Sequence, residues 1–204
     1  MIISLRGTHG SGKSTVVRAL FSHCDVIPYY GALGPKKPEA YKLLPKAKGH
    51  PLFVIGPYGQ VCGGCDAIQP FDLILNLLAK YANKGHVLFE GAIIGNAYGR
   101  ASEMMEASGK HGIFLVLDTP EEECIRRVQS RRSERGDDRE LNPKNLRHKF
   151  KQLNSVLRKV EKDDILRIIR VKDTDAVDTI LDLIREAPEH VPPKSLESFD
   201  LFSG

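Results

Sequence analysis

The sequence predicts an α/β domain in which a parallel sheet carries helices on both faces. Segments of strand and helix character alternate along most of the chain, as in a doubly wound fold. The apolar runs of strand length lie at 2–5, 52–55, 86–91, 113–118 and 165–171. Segments with helical periodicity lie at 71–82, 121–129, 146–160 and 177–187, with a first helix after residue 14 and a crossover helix near 101–107. The runs are apolar almost throughout, which is typical of parallel strands buried on both faces.

The domain organisation follows from length and composition. The chain has 204 residues and 41% hydrophobic composition, which suits one core, and we place a single domain at 1–187. Prolines, glycines and lysines interrupt any pattern between 29 and 59, so we expect a mobile basic insertion that ends in a short strand. The segment 188–204 has little periodicity and is expected to be a loosely held tail.

The overall charge and the cysteines exclude some classes of protein. The formal net charge of +4 is mildly basic, which suits a phosphate-bearing partner without establishing nucleic-acid binding. No run approaches the roughly 18 apolar residues of a membrane span, and no signal-peptide pattern is seen, so a cytoplasmic location is expected. The four cysteines are too few and too scattered for a disulfide scaffold.

The strongest motif is a phosphate-binding loop between the first apolar run and the first helix. The residues that match G-x-x-x-x-G-K-[ST] are Gly7, Thr8, His9, Gly10, Ser11, Gly12, Lys13 and Ser14, followed by Thr15. In such a loop, backbone N–H groups converge on the β-phosphate at a helix N-terminus. We therefore expect ATP and Mg²⁺ here, with Lys13 on the β- and γ-phosphates and the Ser14 hydroxyl on the metal.

Two acids are candidates for the metal or for the attacking hydroxyl. Glu90 ends an apolar run and precedes a glycine, so its carboxylate can face the site, although it could also cap a helix. Asp66 closes the segment Cys62-Gly63-Gly64-Cys65-Asp66, whose glycines permit close approach of a ligand. Two cysteines at this spacing form half a zinc site, but the chain has no second pair, so we expect a tight turn over the acceptor.

Arginines crowd the segment from residue 126 to 147. They are Arg126, Arg127, Arg131, Arg132, Arg135, Arg139 and Arg147. We expect a lid loop at 131–142 in which Arg131 and Arg132 stabilise the charge of the transferring phosphoryl group, with Arg127 on the nucleotide. The alternative is a solvated charged loop, since Glu134, Asp137, Asp138 and Glu140 lie in the same stretch.

These features together resemble the thymidylate kinase family over nearly the whole chain. The resemblance rests on the phosphate-binding loop, on Leu117-Asp118-Thr119-Pro120-Glu121 leading to paired arginines, and on the acids after the last strand. It implies a three-layer P-loop NTPase fold with a five-stranded parallel sheet, an Arg-rich lid and an acceptor region. Two departures matter: the Arg that follows the third strand in that family is missing after Phe89-Glu90-Gly91, and no arginine occurs between Arg18 and Arg100.

Lysines replace arginines in that span, and Lys36 and Lys37 begin the cluster. Lysines act as point charges suited to a repeating phosphate backbone. In this respect, and in the segment from Tyr58 to Asp66, the chain resembles the phage 5-hydroxymethyluracil DNA kinases. That resemblance implies transfer of a γ-phosphate to the hydroxymethyl group of a base in DNA, as a step in thymidine hypermodification. It also implies an acceptor site of six residues, which are Lys36, Lys37, Tyr58, Gly63, Gly64 and Asp66.

Other functions remain open at this point. The chain could be a deoxynucleoside monophosphate or small-alcohol kinase, in which case the lysines would be only a solvated loop. A nucleotide-dependent switch without transfer activity is disfavoured because the Asn-Lys-x-Asp guanine signature is absent. A homodimer is compatible with the sequence, and so is either ATP or dATP as the donor.

Overall fold

A computed structural model describes residues 1–59, 63–91, 112–137, 142–163 and 166–188. Cys62, the expected crossover helix near 101–107, the lid residues 138–141 and the tail from 189 onward lie outside these residues. Among the described residues, no helix is both long enough and apolar enough to span a membrane.

All strands of the described residues belong to one sheet of seven strands. They are β1 (Ile2–Arg6), β2 (Cys24–Tyr29), β3 (Ala40–Pro45), β4 (Leu52–Ile55), β5 (His86–Glu90), β6 (Gly112–Leu117) and β7 (Arg167–Val171). Their order in the sheet is β2-β3-β4-β5-β1-β6-β7. The strands from β4 to β7 in this order are parallel, whereas β2 and β3 are antiparallel and extend one edge. The sheet therefore has two more strands than the five that the resemblance implied.

The additional strands correct the expectation of an irregular basic insertion at 29–59. Tyr29 ends β2, and β3 and β4 both lie within this segment. Prolines in and next to this segment are compatible with strands. Pro28 lies in the edge strand β2, where a missing N–H donor is tolerated, and Pro45 is the last residue of β3. The other prolines and glycines between residues 30 and 51 lie in the connections of an antiparallel meander.

Helices cover both faces of the sheet, as the fold class predicted. They are α1 (Lys13–Ser22), α2 (Phe71–Ala82), α3 (Glu121–Ser133), α4 (Pro143–Asp163) and α5 (Ala176–Glu186). Apolar residues of α2 and α4 pack on one face, and those of α1 and α5 pack on the other. Each of the central strands β1, β5 and β6 is buried along its whole length, which accounts for their continuous apolar sequences.

Helix α3 is longer than the sequence predicted, so the first residues of the expected lid loop are helical. It continues to Ser133, so Arg131 and Arg132 lie in its last turn and not in a loop. Arginine is a good helix former, and positive side chains are favoured at the C-terminal end of the helix dipole. The absence of apolar residues had suggested a loop, but a helix that buries only Cys124 can be polar almost all round.

The register of the strands determines which loops meet. Leu5 of β1 aligns with Glu90 of β5, so the phosphate-binding loop and Glu90 lie at the same end of the strands, where the parallel strands have their carboxyl ends. Ala40 aligns with Ile55 in an antiparallel pair, so the β2–β3 loop at 30–39 also lies at this carboxyl end of the sheet. The β3–β4 connection at 46–51 lies at the opposite end.

Glu39 fastens the β2–β3 loop to helix α2. Its side chain is fully buried and accepts hydrogen bonds from Lys80 Nζ, from the Tyr81 hydroxyl at 2.7 Å and from the Ala32 backbone N–H at 2.6 Å. A buried carboxylate is stable only when its oxygens are paired in this way. These hydrogen bonds therefore attach the β2–β3 loop to helix α2 in the interior of the domain.

Replacing Glu39 by Ala should destabilise the fold, because it leaves the buried Tyr81 hydroxyl and the Ala32 N–H without an acceptor. We expect a loss of about 3 kcal/mol in the free energy of unfolding, measured by denaturant titration. The control is Glu161→Ala, since Glu161 pairs with Arg170 at an exposed site, and it should cost less than about 1 kcal/mol. Equal stabilities of the two variants would contradict this role of Glu39.

Candidate active site

The phosphate-binding loop connects the end of β1 to the start of α1, as predicted. Gly10 and Gly12 have φ angles of 84° and 97°, a left-handed backbone that favours glycine. Thr119 helps to fix the conformation of the loop, because its hydroxyl donates to the Ser11 carbonyl oxygen at 2.9 Å. A Cβ at position 10 would lie 2.3 Å from the Cys124 carbonyl oxygen, so α3 packs directly against the loop.

Lys13 lies folded over this loop. Its Nζ donates to the carbonyl oxygens of Gly7 at 2.9 Å and Thr8 at 2.8 Å. Burial lowers the pKa of Lys13, while the nearby carboxylates of Glu90 and Asp66 oppose that shift. A buried ammonium surrounded by backbone acceptors is thus available at the point where the motif predicts phosphate contacts.

Glu90 and Ser14 are joined by a hydrogen bond, in which the Ser14 hydroxyl donates to Oε1 of Glu90 at 2.7 Å. Glu90 is only 2% exposed, and burial raises the pKa of its carboxyl, against the opposing effects of Lys13 and the Ser14 hydrogen bond. The two residues predicted as metal ligands therefore present hard oxygen atoms at one point. This donor set is of the kind that Mg²⁺ prefers.

The turn predicted to lie over the acceptor, residues 63–67 and called the acceptor turn below, packs directly on the end of β5. It consists of Gly63 and a 3-10 helix, Gly64–Ala67. Gly64 has a φ of 75°, and a Cβ there would lie 2.6 Å from Oε1 of Glu90. A Cβ on Gly91 would lie 2.9 Å from Oδ1 of Asp66. The two acids are thus brought to adjacent positions, and glycines at both contacts make this approach possible.

The arginines of α3 are held by acids or by their own helix. Arg127 donates through Nη1 to Asp173 and through Nε to Glu123, each at 2.6 Å. Arg126 also pairs with Glu123. Arg131 lies one turn further along, and its Nε donates to the Arg127 carbonyl oxygen at 3.2 Å. The guanidinium groups are therefore positioned along one side of the site.

A cleft of about 730 Å³ contains most of the predicted site. The predicted residues among its lining are His9, Gly10, Gly12, Lys13, Ser14, Thr15, Gly63, Asp66, Glu90, Arg127 and Arg131. Four further predicted residues do not line the cleft but contact Lys13 or Glu90, which do: Gly7, Thr8, Ser11 and Gly64. Arg132 is not among the described residues that line the cleft, although it lies next to Arg131 on α3.

Sequence reasoning missed several residues of the cleft. Arg18 lines it from α1, and Asp173 and Thr174 line it from the turn after β7. The signal for Asp173 was present, because it follows a parallel strand whose carboxyl end lies at the same edge as the phosphate-binding loop. Arg18 carried no comparable signal, since it is one basic residue on a helix surface.

The predicted acceptor residues outside the lining fall into two groups. Lys36 and Lys37 lie on the loop at 30–39, and Lys37 Nζ donates to the Ala67 carbonyl oxygen of the acceptor turn at 2.9 Å. Tyr58 is buried against Phe21 and Tyr41, and burial raises the pKa of its hydroxyl well above the usual value. Lys37 therefore contacts the turn from its exposed side, and Tyr58 packs against it from the interior.

Comparison with curated proteins relates the chain to phage enzymes. It is 36% identical over 163 residues to a 5-hmdU DNA kinase of Pseudomonas phage PaMx11, an alignment that covers 78% of this chain and 85% of the relative. The chain belongs to the 5-hmdU DNA kinase family. No model of a known protein family matches the sequence.

Two further relatives carry the same name. The 5-hmdU DNA kinase of Pseudomonas phage M6 is 32% identical over 139 residues, which is 63% of this chain and 71% of that protein. The one of Delftia phage PhiW-14 is 27% identical over 202 residues, which is 92% of this chain and 74% of that protein. Membership of this family makes the chain a kinase that uses a nucleotide as phosphate donor.

The contact between Gly64 and Glu90 gives a test of the acceptor turn. A Gly64→Ala substitution should lower the rate of phosphate transfer by about a hundredfold, because the new Cβ displaces the Glu90 carboxylate or the turn itself. The control is Gly34→Ala, where φ is 84° but a Cβ would meet nothing within 4 Å.

Both variants should lose about 1 kcal/mol of stability from the left-handed backbone. Only Gly64→Ala should lose activity when the acceptor is saturating. The packing argument would be wrong if the two variants had the same turnover rate.

Proposed function

We propose that this chain transfers the γ-phosphate of ATP to the hydroxymethyl group of 5-hydroxymethyl-2′-deoxyuridine in phage DNA. Two observations together support the proposal. The phosphate-binding loop leads into Ser14, which is hydrogen-bonded to Glu90, and the chain is related to enzymes named 5-hmdU DNA kinases. The loop accounts for the donor, and the relatives' name indicates the acceptor.

On the donor side, Lys13 exchanges its partners when the nucleotide binds. Its ammonium now donates to carbonyl oxygens of its own loop, and these contacts are replaced by oxygens of the β- and γ-phosphates. The backbone N–H groups from residues 8 to 15 hold the β-phosphate at the N-terminus of α1. Both interactions neutralise negative charge as the bond to the γ-phosphorus breaks.

The oxygens of Ser14 and Glu90 are the groups that would hold Mg²⁺. Such an ion would supply positive charge that neutralises part of the charge of the phosphate oxygens. The 2.7 Å separation of the two oxygens fits this assignment, because both already face the same point beside Lys13.

Asp66 is assigned as the base that accepts the proton of the acceptor hydroxyl. Asp66 lines the cleft from the acceptor turn, next to Glu90, which is assigned to the metal. The hydroxymethyl oxygen attacks the γ-phosphorus while its proton passes to the Asp66 carboxylate. The bond between the γ-phosphorus and the bridging oxygen breaks, and ADP leaves with the electron pair of that bond.

Arg131 and Arg127 act on the opposite side of the phosphates. Arg131 lines the cleft near the end of α3, where its charge stabilises the equatorial oxygens of the transferring group. Arg127 is held by Asp173 and Glu123, so it presents a fixed positive charge beside Gly12. Arg132 would join them only if the end of the helix turns toward the cleft.

A transfer assay tests the function directly. The protein is incubated with Mg²⁺ and ATP labelled at the γ-phosphate, together with hydroxymethyluracil-containing DNA, the same DNA with thymine, free thymidylate or free 5-hydroxymethyl-deoxyuridylate. We expect label only on hydroxymethyluracil DNA, and Lys13→Ala should remove the transfer to it.

Each other result points to a different function. Transfer only to free thymidylate would indicate a monophosphate kinase and would refute the DNA acceptor. Release of inorganic phosphate with no labelled acceptor would indicate a nucleotide switch.

Two pairs of lysines lie at opposite ends of strand β3, which allows a controlled test of where the DNA binds. Replacing Lys36 and Lys37 by Ala should weaken binding of hydroxymethyluracil DNA and lower its salt dependence, by about one unit of log–log slope for each phosphate that is no longer neutralised. The control pair is Lys46→Ala with Lys48→Ala, since these lysines lie in the β3–β4 connection at the opposite edge. Equal effects of the two double variants would show that the lysines act only through overall charge.

A further inference from the structure

Helix α4 carries a row of basic side chains on its outer face, called the basic face below. They are all exposed to solvent: Lys144, Arg147, Lys151, Arg158, Lys159 and Lys162. At 3.6 residues per turn they lie within about 120° of one another around the helix axis, and at 1.5 Å per residue they extend over about 27 Å. On the other side of the helix, Leu157 and Val160 are buried in the core. The basic face is therefore turned away from the domain.

The composition of the basic face differs from that of an ordinary solvated helix surface, on which both signs of charge are mixed. Helix α3 shows the ordinary pattern, because its Glu123 pairs with Arg126 and Arg127. Helix α4 contains no acidic residue before Glu161, and Glu161 pairs with Arg170 of β7. The positive charge of this surface is therefore not balanced by acids of the same helix.

Like charges along the basic face work against the helix itself. Arg147 and Lys151 are four residues apart, and so are Arg158 and Lys162, so the members of each pair lie on adjacent turns and repel each other. The helix withstands this repulsion because its apolar face is packed in the core. Such a surface is suited to a partner with many negative charges, which would remove the repulsion.

Helix α4 begins beside the cleft and runs away from it. In its first turns, Nε of Arg147 donates to Oε1 of Glu121 at 2.8 Å, and Glu121 is the first residue of α3, at the carboxyl end of β6. Burial and the charge of Lys13 lower the pKa of His9 in the phosphate-binding loop, and the charge of Lys149 on α4 adds to this effect. The helix ends shortly before β7, which starts at the amino end of the parallel strands. The basic face therefore leads from the cleft along the flank of the domain.

Duplex DNA is the partner whose charge pattern fits this surface. The cleft of about 730 Å³ has to hold the triphosphate and the target base, so the DNA on either side of that base lies outside it. Regularly spaced phosphates can neutralise a long row of cations, and a length of about 27 Å corresponds to about eight base pairs. A membrane surface fits less well, because the apolar face that would enter the lipid is already packed in the core.

We propose that the basic face of α4 binds the phosphate backbone of double-stranded DNA on one side of the modified nucleotide. This inference rests on the proposed function and adds a second contact surface to the lysines of the β2–β3 loop. The modified base enters the cleft in one orientation, so the polarity of its strand decides whether the flank on its 5′ side or on its 3′ side reaches α4. The face contributes affinity and orientation and reads no sequence, because it contacts phosphates only.

The test uses two duplexes of about 20 base pairs, in which a single hydroxymethyluracil lies near the 5′ end or near the 3′ end of its strand. Only one of them can place about eight flanking base pairs on α4, so in the wild type its KM should be about tenfold lower than that of the other. The double variant Lys151→Gln with Arg158→Gln removes two charges and keeps good helix formers. It should raise KM of the favoured duplex to that of the other and leave KM for ATP unchanged.

The control double variant is Lys46→Gln with Lys48→Gln, which removes the same charge from the β3–β4 connection. It should keep the wild-type difference between the two duplexes. Binding of an unmodified duplex, measured by fluorescence anisotropy at several salt concentrations, also separates the variants. The α4 variant should lower the log–log salt slope by about two units, one for each phosphate that is no longer neutralised, and the control should leave it unchanged.

Equal KM values for the two duplexes in the wild type would contradict a DNA path on one side of the base. A difference that persists in the α4 variant, or that disappears in the control as well, would exclude the basic face as its cause. Binding to vesicles of anionic phospholipid that only the α4 variant loses, with duplex binding unchanged, would assign the face to a membrane. If the proposed function fails, the wild type transfers no label to either duplex, whereas the salt slopes for unmodified DNA still decide whether α4 binds it.

Discussion

The carboxyl ends of β1 and β5 meet at one point of the sheet edge, and the hydrogen bond between Ser14 and Glu90 joins them. This arrangement depends on parallel pairing, because only parallel neighbours bring their carboxyl ends to the same edge. The buried strands leave little freedom in that register, since a shift by one residue would turn Glu90 toward the opposite face. The positions of Lys13 and Asp66 both follow from this register.

The two sides of the site differ in how they are held. On the donor side, Lys13 and Arg127 already have partners, so a nucleotide must exchange existing contacts for new ones. On the acceptor side, Asp66 lies on a short turn that fits against Gly91 and Glu90 through glycines. The turn is connected through Lys37 to the β2–β3 loop, which Glu39 anchors to α2. A DNA substrate would therefore contact a surface built from several loops at one edge of the sheet.

The donor side could be predicted from the sequence because its signal is local. The phosphate-binding loop needs a fixed spacing of Gly7, Gly12 and Lys13 between a strand and a helix, and a single short segment of the chain supplies all of these. The helix at 71–82 was predicted at the residues where it lies, since its apolar positions recur at helical spacing. Glu90 could be found by its position at the end of an apolar run.

The remaining features depend on contacts between distant segments. The antiparallel strands β2 and β3 have mixed exposure and contain prolines, so periodicity did not reveal them. The lysines lie close together in the sequence, yet Lys36 and Lys37 lie before one end of strand β3 and Lys46 and Lys48 lie after its other end.

Isothermal titration calorimetry of the full chain with a non-hydrolysable ATP analogue tests the central claim, that the loop from Gly7 to Ser14 grips a nucleoside triphosphate together with Mg²⁺. The account predicts saturable binding of one nucleotide per chain when Mg²⁺ is present, and much weaker binding when the ion is chelated. If the wild-type chain bound no nucleoside triphosphate under either condition, the phosphate-binding role of the loop and every step assigned to it would be contradicted.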